Sequence, residues 1–155
     1  MPRHQALIPL SQEHHHTLVL ALRLKKGGPT THKDLWPTDL VRQVERTMEY
    51  CDKEILPHFA QEEATIFVKA RTLETARPLI DRLLVDHASL REMMDHLAGI
   101  RELSKDLIRE HLRRLGEKLE SHIRTEEREL FPMLETGLSE QDWAELAQTG
   151  HSRPR

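Results

Sequence analysis

Cysteine and the larger aromatics are scarce in this chain: there is one Cys, one Tyr and two Trp, and aromatic residues make up 4 % of the whole. A lone thiol, Cys51, excludes an intramolecular disulfide and any zinc site of the Cys₄ or Cys₂His₂ kind, and agrees with a reducing compartment. Few aromatics beside 32 % charged residues suit amphipathic helices better than a β-sandwich. Neither sign of charge dominates: Lys and Arg (23) are interspersed with Asp and Glu (26), with no basic stripe that would draw a nucleic acid. No segment approaches the apolar length of a membrane span, and Met1 to Leu10 lacks the apolar stretch of a secretion signal, so no membrane association and a cytoplasmic location are expected. A phosphate-binding glycine loop, a serine nucleophile elbow and a Cys–His catalytic pair are all missing, which sets aside hydrolases and nucleotide enzymes.

What is present is helical periodicity and histidine, of which there are eleven. The chain's 155 residues fit one domain, 1–155, with a core over about 11–136. Ser11 caps a first expected helix to Lys26, with Leu18 and Leu22 on its buried face and Gly27, Gly28 and Pro29 stopping it. Thr38 caps a second running to about Arg71, with Leu40, Val44, Met48, Cys51, Ile55, Phe59 and Ile66 inward. Pro57 falls inside it and should kink it. A third spans about 75–98 with Ile80, Leu83, Leu90, Met94 and Leu97 inward. The fourth begins after Ser104 and carries Ile108, Leu112, Leu115, Leu119, Ile123, Leu130 and Leu134, ending at Gly137. Ser139 and Asp142 resemble a capping box for a short last helix reaching to near Gly150, and the tail His151 to Arg155 is expected to fray. The fold class is all-α: an antiparallel up-down four-helix bundle with a short C-terminal helix.

One phrase occurs twice. His58-Phe59-Ala60-Gln61-Glu62-Glu63-Ala64-Thr65-Ile66-Phe67 and His122-Ile123-Arg124-Thr125-Glu126-Glu127-Arg128-Glu129-Leu130-Phe131 both read His-Φ-x-x-Glu-Glu-x-x-Φ-Phe. Four residues are about one helical turn, so each phrase aims an imidazole and a carboxylate the same way. Their register with the apolar stripes makes that way inward. His87, seven residues from both Ile80 and Met94, also faces the axis. From His14, His15 and His16 the register with Leu18 and Leu22 selects His15, with His14 as the alternative. Six such groups buried together, two of them anionic, are costly without compensation, and a divalent cation supplies it best. Imidazole with carboxylate suits iron, manganese or zinc, and six ligands exceed what one tetrahedral zinc takes, so two metals with bridging glutamates are inferred.

The order His15, His58-x-x-x-Glu62, His87, His122-x-x-x-Glu126 resembles the hemerythrin-like, or HHE cation-binding, domain over roughly Leu10 to Leu134. The resemblance implies an oxo- or hydroxo-bridged pair of non-heme irons that binds O₂ or a related small species such as peroxide or nitric oxide. It departs from the oxygen carriers in two places. They have a further histidine four residues after the third-helix one, where this chain has Arg91, so one iron loses a protein ligand and reversible O₂ carriage is in doubt. Their fourth-helix carboxylate lies five residues after its histidine, so Glu127 stands as the alternative to Glu126.

Two functional readings follow: a di-iron protein that senses or detoxifies a small ligand or handles iron, and a regulatory or interaction module that metal only stabilises. No residue is assigned as a catalytic acid or base. His4, His32, His96 and His151 read as surface and His111 as too far along the axis. Cys51 reads as a structural thiol, Glu63 and Glu127 each as a partner for a ligand histidine or solvated flank, with flank preferred for Glu63, and Arg91 as either a surface residue or a neighbour of the open coordination position.

Overall fold

The computed structural model describes residues 2–149. Among them there is no strand, and no helix is long and apolar enough to cross a membrane. The expected end of the last helix at Gly150 and the tail His151 to Arg155 lie outside the described residues.

The first helix, α1 (Ile8–Lys26), starts one turn before Ser11. A 3₁₀ turn over Gln5–Leu7 leads into it, capped by His4, whose Nδ1 accepts from the Ala6 N–H (3.0 Å), and Pro9 fits its first turn, where an N–H is not needed. At the other end Gly27 takes a φ of 81°, which closes the helix by a bond from its N–H to the Arg23 carbonyl. Arg23 then holds Asp34 through two hydrogen bonds (2.7 and 3.0 Å), which ties the following loop back onto α1.

Asp39, not Thr38, caps α2 (Leu40–Tyr50), accepting from the Arg42 N–H. A π turn over Cys51–Ile55 joins α2 to α3 (Leu56–Ala64), and a break at Thr65 separates α4 (Ile66–Ala70). The expected kink at Pro57 is thus a widened turn. Pro57 has no N–H to offer the carbonyl four residues back and its ring crowds that carbonyl; placing one extra residue in the turn just before it relieves both. The device recurs: α7 (Lys105–Thr125), capped by Ser104, passes through a π turn over Glu126–Leu130 into α8 (Phe131–Gly137), whose second residue is Pro132. Between these runs lie α5 (Arg77–Asp95) and α6 (Leu97–Ile100). The capping box of Ser139 and Asp142 forms as expected and starts α9 (Glu140–Thr149).

The apolar interior is two clusters. One gathers Leu20, Leu24, Val44, Ile55, Phe59, Leu90, Leu112 and Leu119; the other gathers Leu10, Ile66, Phe67, Leu83, Leu130, Phe131, Leu134 and Trp143. Each such side chain contributes about 1.5–3 kcal/mol on leaving water. Along α1 the order is Leu10, then His14, then Leu20, from the second cluster to the first; α2–α3 runs the other way, from Ile55 through His58 and Glu62 to Ile66. On α5 Leu83, His87 and Leu90 repeat the order of α1, and on α7–α8 Leu119, His122, Glu126 and Leu130 that of α2–α3. A polar layer therefore separates two apolar ones. The expected inward face of α1 is displaced: Leu22 is 49 % exposed, while Leu10, His14, Ala21 and Leu24 are buried.

α1 and α7 approach closely at Gly116, where a Cβ would lie 2.8 Å from the Ala21 carbonyl oxygen and 2.9 Å from Leu24 Cβ. Alanine is the better helix former by about 1 kcal/mol, yet overpacking against backbone costs about 1–3 kcal/mol, so Gly116→Ala is expected to be net destabilising. Urea unfolding measures it, and an unchanged or higher midpoint contradicts the close approach.

Candidate metal centre

Six side chains of the polar layer meet in the middle of the molecule: His14, His58, Glu62, His87, His122 and Glu126, all buried, with Glu62, His87 and Glu126 wholly so. Five of them are the sequence-expected His58, Glu62, His87, His122 and Glu126. The sixth is His14. His15 is exposed, its ring edge-on to that of His16 at 5.9 Å, and takes no part in the cluster. Successive residues turn by about 100° around a helix, so the displaced face of α1 carries the neighbouring histidine inward and His15 outward.

The cluster divides into two overlapping sets whose donor atoms lie within 4.8 Å of one another: His14, His58, Glu62 and Glu126, and Glu62, His87, His122 and Glu126. The glutamates belong to both. Glu62 presents Oε2 to His58 Nε2 (3.2 Å) and His14 Nε2 (3.6 Å), and Oε1 to His87 Nε2 (3.3 Å). Glu126 presents Oε2 to His14 Nε2 (3.7 Å) and Oε1 to His122 Nε2.

Each imidazole is oriented from behind. Its Nδ1 meets a carboxylate: His14 with Glu127 (2.8 Å), His58 with Glu13 (2.5 Å), His87 with Glu63 (2.7 Å) and His122 with Asp86 (3.2 Å). The Nδ1 proton given to that carboxylate leaves Nε2 as a lone pair directed into the cluster. Four Nε2 atoms then face inward, at 3.1 Å between His14 and His58 and at 3.1 Å between His87 and His122. All four oxygens of Glu62 and Glu126 are buried without a hydrogen-bond partner. Lone pairs facing lone pairs around two orphaned carboxylates repel, and what satisfies them at once is positive charge at their centre. The residues present fit a bound cation.

Without one, protons take that place. Burial opposes charge on His14, but Glu127, Glu62 and Glu126 outweigh it and carry the ring up to about 9. Burial is outweighed likewise at His58, chiefly by Glu62, and at His122, chiefly by Glu126, both reaching about 10. Burial and then the charge of Glu62 push Glu126 up; Glu62, although buried, is held well below the usual carboxylate range by His58. A cation entering the cluster therefore displaces protons from these rings.

A family model for the hemerythrin HHE cation-binding domain matches residues 8–134. The chain belongs to that family. None of the curated proteins and none of the solved structures gives a significant match.

The doubled phrase of this hemerythrin-domain chain acquires a meaning in three dimensions. His58 joins His14, while Glu63 of the same phrase orients His87 and Phe67 stacks on it at 5.2 Å. His122 joins His87, while Glu127 orients His14 and Phe131 stacks on it at 5.5 Å. Each phrase thus supplies a cluster histidine to one half, a glutamate to both, and a glutamate and a phenylalanine that hold the opposite half's other histidine. The return is made by Glu13-His14 and Asp86-His87, in which the acid supports the histidine of the phrase and the histidine faces the cluster.

Glu63 and Arg91 therefore differ from their sequence reading. Glu63 takes the role of histidine partner, meeting His87, and not the preferred one of solvated flank, and Arg91, half-buried, grips it through both oxygens. Of the three roles open to Glu127, alternative to Glu126, histidine partner or flank, it takes that of histidine partner, while Glu126 lies in the cluster. His4 is not free on the surface: it stacks on Trp143 at 3.8 Å. Cys51 is buried, and burial pushes its thiol up to about 12, as suits a structural role.

Proposed function

We propose that this protein is a non-heme di-iron protein on an antiparallel up-down four-helix bundle, a single domain, that binds or senses O₂ or a related small species such as peroxide or nitric oxide. The alternating order of the apolar clusters along α1, α2–α3, α5 and α7–α8 supports the up-down arrangement, and the matched span, 127 residues of the 155, supports one domain. The observation that carries the metal reading is the four unpartnered oxygens of Glu62 and Glu126 enclosed by four inward Nε2 atoms.

His14 and His58 would hold one ion and His87 and His122 the other, with both glutamates shared. Two imidazoles and two shared carboxylates give each ion four protein atoms, fewer than iron takes, which leaves room for a small ligand. When bound, iron supplies the redox chemistry and the attraction for that ligand. The chain's own part is to fix ring orientation through Glu127, Glu13, Glu63 and Asp86 and to exclude bulk water by the two apolar clusters. At 7 % exposure His58 is the least enclosed of the six. It lines a groove of about 810 Å³ between α1 and α2, together with Glu13, Thr17 and Tyr50, which offers a small molecule a way toward the cluster.

Metal content per chain, with an optical spectrum, tests this on protein produced with iron. Wild type is expected to hold about two irons with an oxo-bridge band, and His58→Ala with His122→Ala to lose both. His14→Ala is expected to lose metal while His15→Ala keeps the wild-type content. A wild type that folds without metal, and histidine variants of equal stability, would contradict the proposal. A large gain in stability with metal and no redox response would favour the alternative, a metal-stabilised regulatory module.

A further inference from the structure

Behind two of the histidines an arginine grips the orienting glutamate. Arg91 donates to both oxygens of Glu63 (2.7 and 3.0 Å), and Glu63 accepts from His87 Nδ1. The same guanidinium lies over Phe59, 5.7 Å from the ring centre, and Phe59 stacks on His87 at 3.9 Å with 15° between the planes. Across the cluster Arg3 donates to Glu127 (2.9 Å), which accepts from His14 Nδ1, and to Glu135 (2.7 Å). It lies over Phe131 at 5.0 Å, and Phe131 stacks on His14 at 17°. Arginine, glutamate, histidine and phenylalanine close a ring of contacts, twice. The two arginines come from unrelated places: Arg91 is one turn after His87 on α5, whereas Arg3 precedes α1 and is drawn in by Glu127 and Glu135.

We propose that Arg91 and Arg3 are positioning residues, the first for His87 and the second for His14, so that each sets one half of the centre; this rests on the metal-binding reading above. A carboxylate that accepts from one imidazole can swing about its own side chain. A guanidinium fork holds its plane, and a lysine, a point charge on a flexible stem, does not. With the same guanidinium packed on the phenylalanine that covers the ring, tilt and rotation of the imidazole are both restrained. A carboxylate held against Nδ1 also makes Nε2 the stronger donor to a metal.

The test uses the full chain with Arg91→Gln, Arg3→Gln and Arg91→Lys. Anaerobic iron(II) titration reads affinity, electrochemistry reads potential, and nitrogen-15 NMR of the metal-free chain reads proton exchange at Nδ1. Arg91→Gln is expected to weaken one of the two ions about tenfold and leave the other within about twofold, Arg3→Gln to do the reverse, and Arg91→Lys to recover only part. In the metal-free chain Arg91→Gln should speed exchange at His87 about tenfold and leave His14 unchanged, and Arg3→Gln the converse. Unchanged affinity, potential and exchange overturn the proposal, as does equal weakening of both ions by each variant with a matching fall in stability. If the wild type takes up no iron, the functional reading fails, and exchange at His87 and His14 still decides whether the arginines hold them.

Discussion

Removing metal with a chelator is expected to lower the melting temperature by about 10–20 °C. An ion that binds only the folded chain stabilises it by about 2.7 kcal/mol when its free concentration is a hundredfold above its dissociation constant, and two ions give about 5 kcal/mol. For a chain of this size 1 kcal/mol corresponds to about 2–4 °C. The six cluster residues stand on α1, α3, α5, α7 and the start of a π turn, so ions held among them would fasten helical runs that are far apart in sequence. Without metal the rings of His14, His58 and His122 hold protons against burial, and the carboxylates of Glu62 and Glu126 lean on them. That arrangement balances charge only by holding protons on rings that burial opposes charging, so it is the weaker state. Calorimetry with and without chelator, at fixed protein and iron concentrations, measures the difference. A shift under a few degrees means that the cluster is satisfied without metal.

The apolar stripes of the third and fourth expected helices, and that of the second apart from Met48, were legible because burial and period coincide there: Ile80, Leu83, Leu90 and Met94, and every member of the stripe from Ile108 to Leu134, are buried, whereas Met48 is half-buried and Thr47 beside it takes the interior. The doubled phrase was legible too, since polar residues in register with such a stripe must face the core. The first helix misled. Its apolar residues Leu18, Val19, Leu20, Ala21, Leu22 and Leu24 are nearly continuous, so several faces fit, and the one through Leu18 and Leu22 selects His15. The face actually buried runs Leu7, Leu10, His14, Ala21, Leu24, and begins before Ser11. A second signal stood beside it. His87 follows Asp86 as His14 follows Glu13, and each acid supports the phrase histidine of its own half.

Other features had no trace in periodicity. A π turn adds one residue to a helix without changing composition, so only Pro57 and Pro132, each two residues beyond such a turn, hint at it. The role of Glu63 was hidden because a half-exposed position beside a ligand looks like solvated flank until the facing helix is known. Arg91 reaches Glu63 across twenty-eight residues of chain, and Arg3 reaches Glu127 across one hundred and twenty-four. Contacts of that separation follow from how helices assemble, which no local pattern encodes.

The two shared glutamates should matter more than any single histidine. His87 belongs to one half of the cluster, so His87→Gln is expected to leave about one ion per chain, held by His14, His58 and both carboxylates. Glu62 faces both halves, Oε2 toward His14 and His58 and Oε1 toward His87, so its charge would offset the repulsion between two cations held there. Glu62→Gln keeps the side chain's shape, halves the anionic charge of the centre and replaces one oxygen by a donor N–H that faces imidazole lone pairs. It is expected to reduce metal from about two ions per chain to near zero, and Glu126→Gln to do the same. The folded chain should survive, because glutamine fills the same space and the neutralised site lets the imidazoles give up their protons at little cost. Metal analysis beside circular dichroism separates the outcomes. If Glu62→Gln retains one ion as His87→Gln does, the glutamate serves one half alone, and the centre is two neighbouring sites and not one bridged pair.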